Sequence, residues 1–234
     1  MLGIIVEAET DAPGTGLIFH KFGQKTVLER VLEACLGCFY ASKVILAMPT
    51  ADRVLISGSV FQSKLSGKLD ALEKFGRKAD HFFYGRSEMR LERFHRAALN
   101  FQLDDLIIVS AKNVLMQSWF LNYVAQTYLE AGARNVIKTN LYPTWMQAQA
   151  FPFWRLARVC AKTDFSAQDV VGPEMELPNA PPYHLPIPMD NGVPQSFALN
   201  EHANLSILSR IIEELDVGAD LGDLLEDFVE QAAD

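Results

Sequence analysis

The stretch DLIIVSAKNVLMQSWFLNYVAQTYLEA, residues 105–131, sets the fold class. Leu106, Ile107, Ile108 and Val109 are consecutive and apolar, which leaves no side of the segment for water. An apolar run this short reads as a strand buried on both faces. Residues 118–131 then take up a helical pattern. A buried strand feeding a helix is the unit of a mostly parallel sheet with helical cover.

The same alternation continues outward in both directions. Towards the N-terminus, residues 2–6 and 43–48 read as strands. Residues 26–39 read as a helix through Val27, Leu28, Val31, Leu32 and Leu36. Residues 51–65 suggest a helix that Gly58 interrupts. Residues 80–84 suggest a strand and 87–101 a helix capped by Ser87. Residues 135–138 add a strand on the other side. The expected architecture is α/β: a three-layer, Rossmann-like, mostly parallel sheet with helices on both faces. Such sheets bind ligands outside the carboxyl ends of their strands. Here those ends are residues 8–16, 49–53, 84–87 and 110–115.

The pattern loosens after residue 139. Residues 142–154 are rich in proline and aromatics, and residues 173–194 hold seven prolines. We read about 140–195 as an arm or flap on one domain spanning 1–234. Trp145, Phe151, Phe153 and Trp154 are more apolar surface than one arm of a monomer usually exposes, which suggests a homodimer contact. Helical patterns return from residue 201, with Asn200 as N-cap and Gly218 as the stop. A last amphipathic segment carries Leu221, Leu224, Leu225, Phe228 and Val229 on one side.

Bulk properties exclude several classes. The chain has 234 residues and a net charge of −8. Nine acidic residues and no Lys or Arg follow Arg210, so the remainder is close to neutral. No basic stripe points to nucleic acid, and no apolar run is long enough to span a bilayer. With no basic leader at the N-terminus, a cytoplasmic location is expected. Cys35, Cys38 and Cys160 make an odd set, which argues against a disulfide framework. The Cys35–Cys38 pair sits near an expected helix end and reads as buried structural thiols. The five histidines show no metal-ligand spacing.

Ordered motifs carry a resemblance. GIIVEAETDAPGTGLIFHKFGQKTVLERVLEA is followed by YGRSEMRLERFHRAA, then by DDLIIVSAKNVLMQSWFLNYVAQTYLE, NLYPTW and FALNEHANLSILSRIIEEL. In that order and spacing the chain resembles the cytidylyltransferases that activate acidic and spore-coat sugars, which have the nucleotide-diphospho-sugar transferase fold. Gly16, Phe19, Gly23, Lys25, Leu28, Arg30 and Val31 fall in register with the family's opening motif. Gly85, Leu91, Arg93, Phe94, Ala97 and Ala98 match its G-S-E-x-D-V-L-x-R-Y-x-x-A-A. No single motif is specific alone.

The departures fall on the family's chemical residues. Ala8, Pro13 and Leu17 stand where the family's first loop carries two Arg and a Lys for the triphosphate. Lys112 matches the Mg²⁺-binding Asp of the G-D-C-P motif, and Asn200 matches the metal-binding Asp of the closing motif. The resemblance implies Mg²⁺, yet its expected ligands are replaced. Phosphoryl transfer depends on charge neutralisation and positioning. Each lost charge-assisted phosphate contact is typically worth about 1.5–3 kcal/mol.

Candidate nucleotide-binding residues are Ala8, Gly14, Thr15, Gly16, Lys25, Ser110 and Lys112. Gly14–Gly16 could offer backbone N–H groups to phosphate, although plain turn chemistry is the commoner account. Lys112 reads equally as a phosphate-binding cation and as a solvent-facing lysine. Candidate sugar-pocket residues are Arg93, Tyr142 and Trp145. Arg86, Arg90 and Arg93 read chiefly as a solvated cluster pairing with Glu88 and Glu92 at helical spacing. Three functions stay open: a weakened relative that binds a nucleotide, sugar nucleotide or partner enzyme; an active enzyme with remodelled phosphate handling; and a non-catalytic dimeric subunit.

Overall fold

In strand β1 (Leu2–Glu7) every residue is buried. Successive side chains of a strand point to opposite faces. Ile4 and Val6 accordingly enter one hydrophobic core and Ile5 enters another. The computed structural model describes residues 1–8, 17–50, 82–86, 89–132, 136–139, 146–162, 183–184, 205–218 and 224. Around β1 lie β4 (Lys43–Pro49) and β6 (Asp105–Ser110), both parallel to it. β5 (Phe82–Gly85) extends the sheet beyond β4, again in parallel.

On the other side of β6 comes β8 (Ala148–Pro152), antiparallel to β6. It is followed by β7 (Ile137–Lys138) and β9 (Tyr183–His184). The order is β5-β4-β1-β6-β8-β7-β9. Within this seven-stranded sheet β8 alone runs against the rest, as its pairings with β6 and β7 require.

The larger core lies between the sheet and α1 (Val27–Leu36), α3 (Ser118–Glu130) and α5 (Leu205–Asp216). The smaller core lies between the opposite face and α2 (Arg90–Asn100) and α4 (Phe153–Lys162). The three-layer expectation therefore holds. A capping box starts α1: the Glu29 N–H donates to Thr26 Oγ1 at 3.1 Å, and the Thr26 N–H donates to Glu29 Oε2 at 2.8 Å. Ahead of it a small hairpin joins β2 (Lys21–Phe22) to β3 (Lys25–Thr26). Gly23, at φ 60°, supplies the left-handed residue that a two-residue turn needs.

Several boundaries move. α1 ends at Leu36, before residue 39, because Gly37 and the turn after it cap the last carbonyls. α2 begins at Arg90, with Met89 as N-cap and no side-chain cap. Ser87, the helix expected at 51–65 and Asn200 lie outside the described residues. Gly218 does follow α5, at φ 97°. Of the last amphipathic segment only Leu224 is described, and it is buried in the larger core.

Residues 148–162, read from sequence as part of an arm, form β8 and α4. Phe151 is fully buried and Phe153 packs on the smaller core, while Trp154 stays 46% exposed. Proline and aromatic content misled here: Pro152 closes a strand, and Phe151 fills a core where burying such a ring stabilises by about 1.5–3 kcal/mol. The three thiols are all buried and none is in a disulfide. Burial pushes the Cys160 thiol up to about 11, and raises Cys35 further. These are packing groups, as expected.

Candidate functional site

The parallel strands β1 and β6 end side by side, with Glu7 in register with Ser110. Strand parity puts both on the α2 side: Glu7 follows Ile5, and Ser110 follows Leu106 and Ile108. Backbone bonds knit these ends together. The Ala111 N–H donates to the Glu7 carbonyl at 2.7 Å, and the Ala8 N–H to the Ala47 carbonyl at 3.0 Å. Thr50 Oγ1 donates to the Gly85 carbonyl at 2.9 Å, which ties the end of β4 to that of β5.

A cavity of about 160 Å³ opens at this edge. Glu7, Arg90, Ile108 and Ser110 form one wall; Asn113, Lys138, Thr139, Gln147, Ala148 and Gln149 form the other. Glu7 is 7% exposed. Arg90 Nη2 donates to Glu7 Oε2, and Arg90 Nε is in ion-pair contact with Oε1. Arg93 Nη2 lies 3.8 Å from the same Oε1. Arg93 is 1% exposed, and its Nη1 donates to the Arg86 carbonyl at 2.8 Å. The ring of Phe94 lies beneath both guanidinium groups, at 5.7 and 6.0 Å from their central carbons. The far wall is equally fixed: Asn113 Nδ2 donates to the Gln147 carbonyl at 2.6 Å. Thr139 Oγ1 donates to the Ala148 carbonyl at 2.9 Å and accepts from the Ala148 N–H at 2.7 Å.

The arginines thus differ from their reading in sequence. Arg90 and Arg93 pair with Glu7 across the fold, while Glu92 pairs with Arg96 at i,i+4 spacing. Helical periodicity predicts local pairs only, and Glu7 lies 83 residues from Arg90. Glu7 escaped the sequence reading, yet a signal was present. An acid at the ligand-facing end of a strand buried on both faces must find a partner or stay costly.

The other candidates are distributed as follows. Ser110 lines the cavity. Lys112 is half-buried in the turn after β6, where its N–H donates to Ser110 Oγ at 3.2 Å; it is not among the lining residues. Ala8 is fully buried in the larger core. Lys25 borders a second cavity, of about 430 Å³, between α1, the start of α3 and α5, and its Nζ lies 2.7 Å from Glu33 Oε2. Gly14, Thr15, Gly16, Tyr142 and Trp145 lie outside the described residues.

The donor set does not fit Mg²⁺. Octahedral magnesium sites take carboxylate oxygens. Among the described residues, the one carboxylate lining this cavity is already gripped by Arg90 and approached by Arg93. A divalent cation would have to displace both.

Solved structures place this architecture among known ones. A cytidylyltransferase from Leptospira borgpetersenii serovar Hardjo-bovis (strain JB197) superimposes with a TM-score of 0.75 at 16% identity, over 99% of this chain and 95% of that one. The chain has the cytidylyltransferase fold. A 4-diphosphocytidyl-2C-methyl-D-erythritol synthase gives a TM-score of 0.57 at 13% identity, covering 90% of this chain and 97% of that one. Rv0371c from Mycobacterium tuberculosis H37Rv gives 0.53 at 13% identity, over 79% and 87%. No family model matches the sequence, and no curated protein does. Among the described residues no helix is long and apolar enough to cross a membrane.

Proposed function

We propose that this chain is a cytidylyltransferase-fold binding protein of sugar-nucleotide or surface-polysaccharide metabolism, with weak or no CTP:sugar transfer. One observation carries the reading. The cavity at the β1 and β6 ends lies at the ligand edge of the sheet, but the single carboxylate among its described lining residues is neutralised by arginine. The replaced residues at Ala8 and Lys112 point the same way. The ligand is a nucleotide or sugar nucleotide, held at the strand ends with Ser110 and the neighbouring turn. Arg93 acts by holding Glu7 and the end of β5.

The protein works in the cytoplasm as one domain and as a homodimer, with Trp154 as the exposed aromatic on the α4 side. Thermal-shift titration with CMP and CTP, with and without Mg²⁺, together with a pyrophosphate-release assay, tests the reading. The expected result is stabilisation by CMP or a sugar nucleotide that is independent of Mg²⁺, and no pyrophosphate. Metal-dependent pyrophosphate release on adding an acidic sugar with CTP would overturn it.

A further inference from the structure

The Glu7–Arg90 pair does more than neutralise charge: we propose that Glu7 is a built-in anion that occupies the Arg90 guanidinium and keeps phosphate and carboxylate groups of a ligand off it. An arginine at the edge of a ligand cavity is ordinarily a carboxylate or phosphate receptor, because two of its N–H groups match two oxygens. Arg90 carries such a guanidinium and lines the cavity, with its side chain 33% exposed. Yet both nitrogens on its Nε–Nη2 edge face Glu7 oxygens. The carboxylate holding them is 8% exposed and is also approached by the fully buried Arg93 guanidinium at 3.8 Å. The chain's own acid therefore occupies the position an anionic ligand would take.

Displacing it would strand a buried carboxylate beside an incoming negative charge, and like-charge juxtaposition is how a site rejects a ligand class. Of the remaining lining side chains, Lys138 is a further cation on the far wall, and Ser110, Asn113, Thr139, Gln147 and Gln149 are neutral donors and acceptors. They suit a hydroxyl-bearing ring or the edge of an amide-like ring. The cavity volume of about 160 Å³ is close to that of an engineered cavity that holds one benzene-sized ring. This deepens the proposed function by naming the group, Arg90, that is closed to the anionic portion of the ligand at the strand ends. It rests on that reading only for the location.

The test is phosphate binding to the full-length chain by isothermal titration, using inorganic phosphate. Glu7→Gln keeps the side-chain shape and removes the charge. The expected result is at least about a tenfold gain in phosphate affinity over the parent, lost again in Glu7→Gln/Arg90→Gln. Equal phosphate affinity in parent and Glu7→Gln overturns the proposal, and so does a gain that survives removal of Arg90. Should Glu7→Gln fail to fold, Glu7→Asp keeps the charge on a shorter stem and is expected to show a partial gain. In the parent, the Arg90 Nε–H resonance should stay unmoved as phosphate is added; a saturating shift at the parent's Arg90 overturns the proposal. These outcomes are independent of whether CMP binds, so failure here is separable from failure of the proposed function.

Discussion

Two arginine–carboxylate pairs sit on opposite faces of the sheet, and they are built differently. On one face Arg90 and Arg93 share Glu7, with side-chain exposures of 33%, 0% and 8%. On the other, Arg30 sets both terminal nitrogens against Asp216, at 2.8 and 2.6 Å; Arg30 is 12% exposed, but its carboxylate partner is 45% exposed, against 8% for Glu7. Arg30 also donates to the Phe22 carbonyl at 2.9 Å, so this second pair ties the end of α5 to α1 and the β2–β3 hairpin. The geometry of the second pair is the more regular, but burial decides the energy. Breaking a buried pair leaves an uncompensated charge in a poor solvent, while an exposed pair hands its charges back to water. The Glu7 cluster is thus the one that shapes a site, and the Asp216 pair is a tether.

The sharpest way to break this contrast is Arg93→Met. It removes a fully buried guanidinium and its bond to the Arg86 carbonyl. We expect a loss of about 3 kcal/mol in urea unfolding, in line with broken buried pairs. A loss below about 1 kcal/mol would mean the cluster is solvated and the contrast false. Gly85→Ala comes next. A Cβ at Gly85 would stand 3.0 Å from Arg93 Cγ and 3.2 Å from its Cβ. With Arg93 locked on both Glu7 and Arg86, the strain should cost about 1–2 kcal/mol. In an Arg93→Ala background the Cγ and Cδ contacts are gone and part of that cost should vanish; full additivity would show that those atoms are not the obstacle.

The sheet was legible because it depends on local pattern. Residues 2–6, 44–48 and 106–109 are apolar throughout, and those segments lie in β1, β4 and β6. Lys25 and Ser110 were found through resemblance, but the structure sends them to different cavities. What stayed hidden was long-range. β8 was obscured because Pro152 and its aromatic neighbours suggest a flap, and only its pairing with both β6 and β7 shows a strand. The Glu7 cluster was obscured because Arg90 and Arg93 have acidic neighbours at helical spacing. Helical spacing favours Glu88 or Glu92, and only the apolar run ahead of Glu7 marks it as an acid that needs a partner.

On the exposed side, Asp216→Asn should cost no more than about 1 kcal/mol in the same unfolding assay, reduced further by salt. A loss comparable to that of Arg93→Met would remove the distinction between tether and site.

Acid titration sharpens the comparison last, because the two faces should respond in different pH windows. On the α2 face His95 is half-buried and stacks on Phe153 with ring centroids 5.2 Å apart. Burial chiefly, and the neighbouring Arg96, lower its pKa; Glu92 opposes them. The folded state therefore disfavours the imidazolium, and between the two pKa values the unfolded chain binds more protons. Stability from this residue is complete above the unfolded value of about 6.5 and is lost as pH falls through the lowered folded value. On the α5 side the Arg30 hydrogen bond holds the Asp216 carboxyl below its ordinary range. Its contribution is present above about pH 3.9 and disappears only as pH falls through the depressed folded value. Urea midpoints at about pH 7.5 and about pH 5.5 should differ in the parent and differ less in His95→Gln, while Asp216→Asn leaves that difference intact. An unchanged difference in His95→Gln would mean that another group on the α2 face carries the proton.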